Sequence, residues 1–305
     1  MKKIIAISIC FLTISISTSA QDVLSVEEMN SVYKKEQVLN KNVRQYTHLR
    51  EADVMWSRKV WREIDLREKI NHPFYYPEND GVGYTTRDRK SLIDVIYSAI
   101  NEGSITAYGN AAMDDEFREP MSQDDIKSIG GAVEELIEVI DWDAVAAGAD
   151  PEDAKTSILE KKQFDRNSVK KWRLKEEWFF DKQKSVMDVR ILGLAPLQED
   201  RDQVNGRLTG SFSPLFWVYF PEAREVLINA EVFNSVKNDA ERRTYDDVFW
   251  KRMFNSTITM EANVMNRRIN EYMVGLDALL EAERIKADIF NICLLYTSPS
   301  PRDPT

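Results

Sequence analysis

Between residues 53 and 71 the chain mixes charge and apolar bulk at a spacing that predicts a helix. At about 100° per residue, Arg58, Arg62, Asp65 and Lys69 fall on one narrow stripe. Val54, Met55, Trp56, Val60, Trp61, Ile64, Leu66 and Ile70 spread over most of the remaining circumference. A surface helix carries one apolar stripe and one broad polar face, so this helix is expected to be covered from more than one side. Glu63 with Arg67, and Asp65 with Lys69, stand four apart in the acid-to-base order that supports a helix by a few tenths of a kcal/mol. Pro73 stops the helix, since the residue before a proline is driven out of the helical region. Residues 74–76 then read as a short strand.

Further along, Ser91 and Asp94 form a capping pair that opens a second helix. Its apolar face is Leu92, Val95, Ile96, Ala99 and Ile100, and Gly103 ends it. Residues 105–108 read as a strand. Residues 122–129 read as a helix with Asp125 as the capping acid, broken by Gly130-Gly131, and 133–140 as a helix or a strand. The composition then turns acidic and mixed to residue 171, with a turn-rich joint at 148–153.

Aromatic and β-branched runs at 178–180, 186–192 and 215–220 predict strands, with a polar loop at 199–210. Thr244 with Asp247 caps a helix through Met253, and 258–260 read as a strand. A closing helix over 276–290 has Leu276, Leu279, Leu280 and Phe290 as its apolar members. The pattern is α+β, with mixed helices and short antiparallel strands in a single large domain or two closely packed subdomains. The expected divisions are an arm at 21–49, a helical and mixed part at 50–147, a charged joint at 148–171, and a second α+β part at 172–292.

The ends change the picture. Lys2 and Lys3, a short apolar run, and the small residues Thr18 and Ala20 before Gln21 make residues 1–20 a secretory signal, too short to span a bilayer. Ile9 before Cys10 does not fit a lipidation motif. The run LLYTSPSPRD at 294–303 resembles translated sequencing adapter, and residues 293–305 are expected to be non-native. Removing Lys2 and Lys3 takes the formal charge from −10 to −12. Such an acidic chain argues against nucleic acid or an anionic membrane as partner. Of the two cysteines, Cys10 leaves with the signal and Cys293 abuts the suspect tail, so neither a disulfide nor a thiol nucleophile is expected.

Candidate chemistry is sparse. The two histidines, His48 and His72, cannot assemble a triad or a histidine-rich metal site. Gly210-Ser211-Phe212-Ser213 lacks the second glycine of a nucleophile elbow. An EF-hand loop starting at Asp200 would place Asn205 where glycine is required and Ser211 where the bidentate glutamate belongs. Asp141 with Asp143, and Glu199, Asp200 and Asp202, read as solvated charge. No cofactor, metal or catalytic residue is expected. Two segments stand out as interface candidates because Trp, Tyr and Arg most often anchor interfaces. One is the opening helix, through Trp56, Trp61, Glu63 and Arg67. The other combines Trp250, Arg252 and Phe254 with Arg267, Arg268 and Tyr272.

The segments VWREIDLREKINHPFYYP, RKSLIDVIYSAINEGSITAYG, VFWKRMFNSTI and MNRRINEYMVGLDALLEAERIKADIFN together resemble the GldN (PorN) family of gliding motility and type IX secretion. The resemblance runs from about Arg50 to Asn291. It implies a non-enzymatic periplasmic component that forms a ring with a GldK/PorK-type outer-membrane lipoprotein and its own copies. It also implies contact with a GldM/PorM-type motor subunit. A periplasmic ligand-binding module and a carboxylate-based hydrolase remain the alternatives from the residues alone.

Overall fold

The computed structural model describes residues 41–78, 89–109, 115–129, 134–140, 155–161, 164–201, 207–233 and 241–297. The expected signal peptide, most of the arm, Gly130-Gly131, the Asp141/Asp143 cluster, the joint at 148–153 and the end of the tail lie outside the described residues, as does Asp202.

The largest departure from expectation comes first in the chain. Residues 53–71 are not a helix: Val54–Asp65 form a twelve-residue strand, β1. Its even positions (Trp56, Val60, Arg62, Ile64) face one way and its odd positions (Lys59, Trp61, Glu63) the other, as a pleated strand requires. Arg58 and Arg62 interrupt the buried side and Trp61 interrupts the polar side, which hid the period of two. The helical pairings fail with it, because Arg67 pairs with Asp65 and not with Glu63.

Residues 74–76 are likewise not a strand. His72–Tyr75 form a short helix, α1, with Pro73 in the first turn, where its missing N–H costs no hydrogen bond. Asn71 anchors this corner: fully buried, it donates to Asp65 O and Asn255 O and accepts from Asn255 N.

Leu92–Asn101 form α2 as expected, with Ser91 accepting from the Asp94 N–H, and Gly103 follows at φ +76°. Strand β2 is Ala107–Tyr108, and α3 is Gln123–Lys127 with a full Ser122/Asp125 capping box. Strands β3 (Glu134–Ile140) and β4 (Lys155–Lys161) pair with each other alone as a two-stranded sheet. The long hairpin β5 (Val169–Asp181) and β6 (Val186–Arg201) follows, then β7 (Leu208–Pro214) and β8 (Trp217–Tyr219).

Strand structure thus runs through the start and end of the expected polar loop. Glu199 and Asp200 stitch β6 to β7 by accepting from Gly210 N and Ser213 Oγ. Phe220–Leu227 form α4, a helix the sequence pattern does not announce. Tyr245–Trp250 form α5 under a Thr244/Asp247 capping box, and Thr257–Glu261 form β9. Ile269–Tyr272 (α6) and Leu276–Thr297 (α7) close the described chain.

The main sheet is antiparallel with order β2-β8-β6-β5-β1-β9, and β7 also pairs with β6. Its helix-covered face holds two cores. In the larger, Ile64, Trp172, Leu174 and Leu194 meet Phe74, Leu92, Ile96, Phe220 and Phe249 from the helices. In the smaller, Val60 and Ile258 meet Ala278, Ala282, Ile285 and Ile289 of α7, flanked by Trp56 and Trp178. The expected apolar face of the closing helix is therefore the wrong one: Leu276, Leu279, Leu280 and Phe290 point to solvent.

On the opposite face Phe117, at φ +59°, packs edge-on against Trp217 and Tyr219. Gly193 makes room for it, since a Cβ there would lie 2.5 Å from Phe117 Cζ and 3.2 Å from Trp217 Cε3. Gly193→Ala is expected to lower unfolding free energy by about 1–2 kcal/mol in urea titration.

Candidate functional site

The face of β1 that bears Lys59, Trp61 and Glu63 looks away from the helices. Across the ladder to β5, Lys59 stands opposite Glu177, Trp61 opposite Lys175, Glu63 opposite Arg173, and Asp65 opposite Lys171. Opposite charges facing each other on neighbouring strands stabilise the pairing. Arg173 Nη2 donates to Glu63 Oε1 at 2.6 Å, and Lys171 Nζ lies 3.7 Å from the other oxygen.

The segment Asp115–Phe117 lies over this ladder. Trp61 Nε1 donates to Asp115 Oδ2 at 2.8 Å, and Lys175 Nζ donates to Asp115 O at 2.6 Å while sitting 5.5 Å from the Trp61 ring centre. Arg268 approaches from the loop after β9. Burial holds its guanidinium below the usual arginine range, and the like charge of Arg173 adds to that. Together Lys59, Trp61, Arg173, Lys175, Trp217 and Arg268 line a cavity of about 570 Å3.

Most charges here are already matched, and among the described residues no serine or cysteine stands beside a histidine base. Among the described residues no group of His, Cys, Asp and Glu could hold a metal ion. Lys59 and Arg268 have no ion-pair partner among the described residues, and Asp115, Glu116 and Glu271 also line the cavity.

Of the ten interface candidates, the structure brings Trp61, Glu63 and Arg268 together here. The others separate. Trp56 lies on the helix-covered face, packed against the smaller core. Arg67 is exposed at the end of β1, where its fork holds the Asp65 carboxyl below the usual carboxylate range. Trp250 is stacked on Tyr46 at 5.3 Å, with Arg224 5.1 Å and Arg44 5.6 Å from its ring centre. Arg252 turns inward, its Nη2 2.9 and 3.1 Å from the two oxygens of Glu176. Phe254 packs edge-on against Phe74 and Phe249. Arg267 is exposed, and Tyr272 donates to Glu281 at 3.5 Å.

Sequence reasoning missed a set of exposed apolar residues in the β9–α7 loop and along the outside of α7: Val264, Met265, Val274, Leu276, Leu279 and Leu280. Val264 is fully exposed and Val274 is 84 % exposed. The signal was present, since Leu276, Leu279, Leu280 and Phe290 share a helical face. A second face of Ala278, Ala282, Ile285 and Ile289 does the packing, and its small alanines made it the quieter of the two.

Among the described residues, no helix is long and apolar enough to cross a membrane. A family model described as gliding motility associated protein GldN matches residues 49–293. Among curated proteins, none matches this chain.

Proposed function

The chain belongs to the GldN family, structural components of gliding motility and type IX secretion, and from that premise we propose that it is a periplasmic ring subunit. In this reading it binds a GldK/PorK-type outer-membrane lipoprotein and neighbouring copies of itself, and it couples both to a GldM/PorM-type motor shaft. The observation that carries the reading is the exposed apolar surface of the β9–α7 loop and the outer side of α7. Apolar residues grouped in this way mark an interaction site. The open face of the sheet adds Trp61, Lys59 and Arg268, an aromatic with cations of the kind that anchors interfaces. Arg67, Arg267 and Tyr272 stand exposed around these regions and serve as rim contacts.

The test is co-purification of the lipoprotein from envelope extract with tagged protein. Leu276→Asp/Leu280→Asp is expected to recover at least tenfold less lipoprotein, with Trp61→Ala and Arg67→Glu reducing recovery less. Circular dichroism should match the parent, because none of these side chains belongs to the main core. Undiminished recovery with the double aspartate variant would remove α7 from the interface.

A further inference from the structure

Buried charges in this fold meet their opposites: Asp94 meets Arg166, Arg173 meets Glu63, Glu176 meets Arg252, and Arg224 meets Asp246. Arg62, only 9 % exposed, is different. Among the described residues no carboxylate lies within ion-pair distance of it. Its hydrogen bonds go to one neutral residue, Nε to Ser256 Oγ at 2.8 Å and Nη2 to Ser256 O at 2.9 Å. A guanidinium has five N–H donors, so Nη1 and the second Nη2 hydrogen remain. A buried charge without a counter-charge is costly, and burial holds this guanidinium below the usual arginine range against the longer-range pull of Glu176 and Glu283.

The geometry around Arg62 is built for access. The β1–β9 register slips between Trp61 and Arg62, and such bulges re-aim side chains at functional sites. A pocket of about 250 Å3 opens there between β9 and α7, lined by Arg62, Ser256, Ile258, Leu279, Glu283 and Lys286. At its rim Lys286 pairs with Glu283 at 3.3 Å, and Leu279 is more than half exposed.

We propose that this pocket receives a carboxylate carried by a docking polypeptide, held bidentately by the free edge of Arg62. The planar fork of arginine matches a carboxylate. The volume is below that of ordinary small-molecule sites and suits one acidic side chain or chain end. Glu283 at the rim disfavours a dianion such as phosphate, and exposed Leu279 offers the neighbouring residue of a peptide an apolar contact. The pocket shares Leu279 with the outer side of α7, but its test reads carboxylate binding at Arg62 and not recovery of the lipoprotein, so failure of either leaves the other standing.

The test follows the Arg62 Nε–H signal by NMR in the full chain. The probes are the capped peptide acetyl-Leu-Glu-Leu-amide, its Gln counterpart, acetyl-Leu-Leu with a free carboxyl, and inorganic phosphate. The Glu peptide or the free-carboxyl peptide is expected to shift the signal saturably. The stronger of the two identifies side chain or chain end as the source, and the Gln peptide should bind at least tenfold more weakly. Arg62→Gln lacks this signal, so its peptide binding is followed by isothermal titration calorimetry, where it should be abolished. Because that variant removes a buried group and can disturb folding, Glu283→Gln at the exposed rim provides the second readout, tightening carboxylate binding two- to fivefold. Equal shifts with the Glu and Gln peptides, no saturation with either carboxylate, tighter binding of phosphate, or an unchanged affinity in Glu283→Gln would overturn the assignment.

Discussion

Arg252→Ala is expected to lower the unfolding free energy by about 3–5 kcal/mol, the usual cost of stranding one partner of a buried ion pair. Glu176 is fully buried on the helix-covered face of β5, opposite Val60 of β1 and Ile191 of β6. Its counter-charge is Arg252, which follows α5 at φ +51° and also stacks 5.4 Å from Trp178 and 5.3 Å from Phe254. Among the described residues, removing the guanidinium leaves the carboxylate with only the Trp178 Nε1 donor at 3.2 Å. Replacing both partners, Glu176→Leu/Arg252→Ala, should recover more than half of the loss, because an apolar pair can substitute for a buried ion pair. Urea denaturation of the single and double variants forms a mutant cycle. If the double variant loses as much as the sum of the singles, the ion pair is not the cause.

Phe74→Ala is expected to cost about 3–5 kcal/mol, the range for deleting a buried ring. Phe74 is 1 % exposed and sits among Phe249 at 5.2 Å, Phe254 at 6.1 Å and Tyr245 at 6.2 Å. Tyr245 in turn donates to Lys90 O at 2.8 Å, so a collapse around the missing ring would break a hydrogen bond that fixes the entry to α2. Little relaxation is therefore available to fill the cavity. The thermal midpoint should fall together with the urea midpoint. A loss below about 1 kcal/mol would mean the aromatic cluster repacks freely.

What the sequence made legible was local chemistry. The Ser91/Asp94, Ser122/Asp125 and Thr244/Asp247 pairs each predict a helix start, and each marks one, because a cap needs only residues three apart. The α+β class and the strand at 258–260 were legible for the same reason. The failures come where tertiary partners decide. Arg62 and Arg58 stand on the buried side of β1 because Ser256 and Glu261 receive them, and no local pattern announces those contacts. Trp61 stands on the polar side because Asp115 accepts its indole N–H. With both faces mixed, a period of two was indistinguishable from a helix of unusual girth.

The interface candidates divide along the same line. Composition alone selects aromatic and basic residues, and it cannot separate Arg252, spent on Glu176, from Arg268, which has no ion-pair partner among the described residues and feels Glu63 and Glu271 only at longer range. The Tyr46–Trp250 stack was hidden for a further reason: its two rings lie far apart in sequence, and the arm that brings Tyr46 reads as polar, with few apolar anchors.

The position of β1 in the sheet also sets how the chain must come together. β1 leaves the chain early, yet its flanking partners are β5 and β9, and Arg58 meets Glu261 across 203 residues. Pairing of this kind closes long loops before any contact rewards it, which slows folding relative to a fold built from neighbours. During synthesis β1 therefore waits, with Trp56, Val60 and Ile64 on a strand whose two edges are both open. Open edges recruit other chains, so a chaperone that shields this stretch should raise the yield of folded protein more than one acting on the late-made hairpin β5–β6.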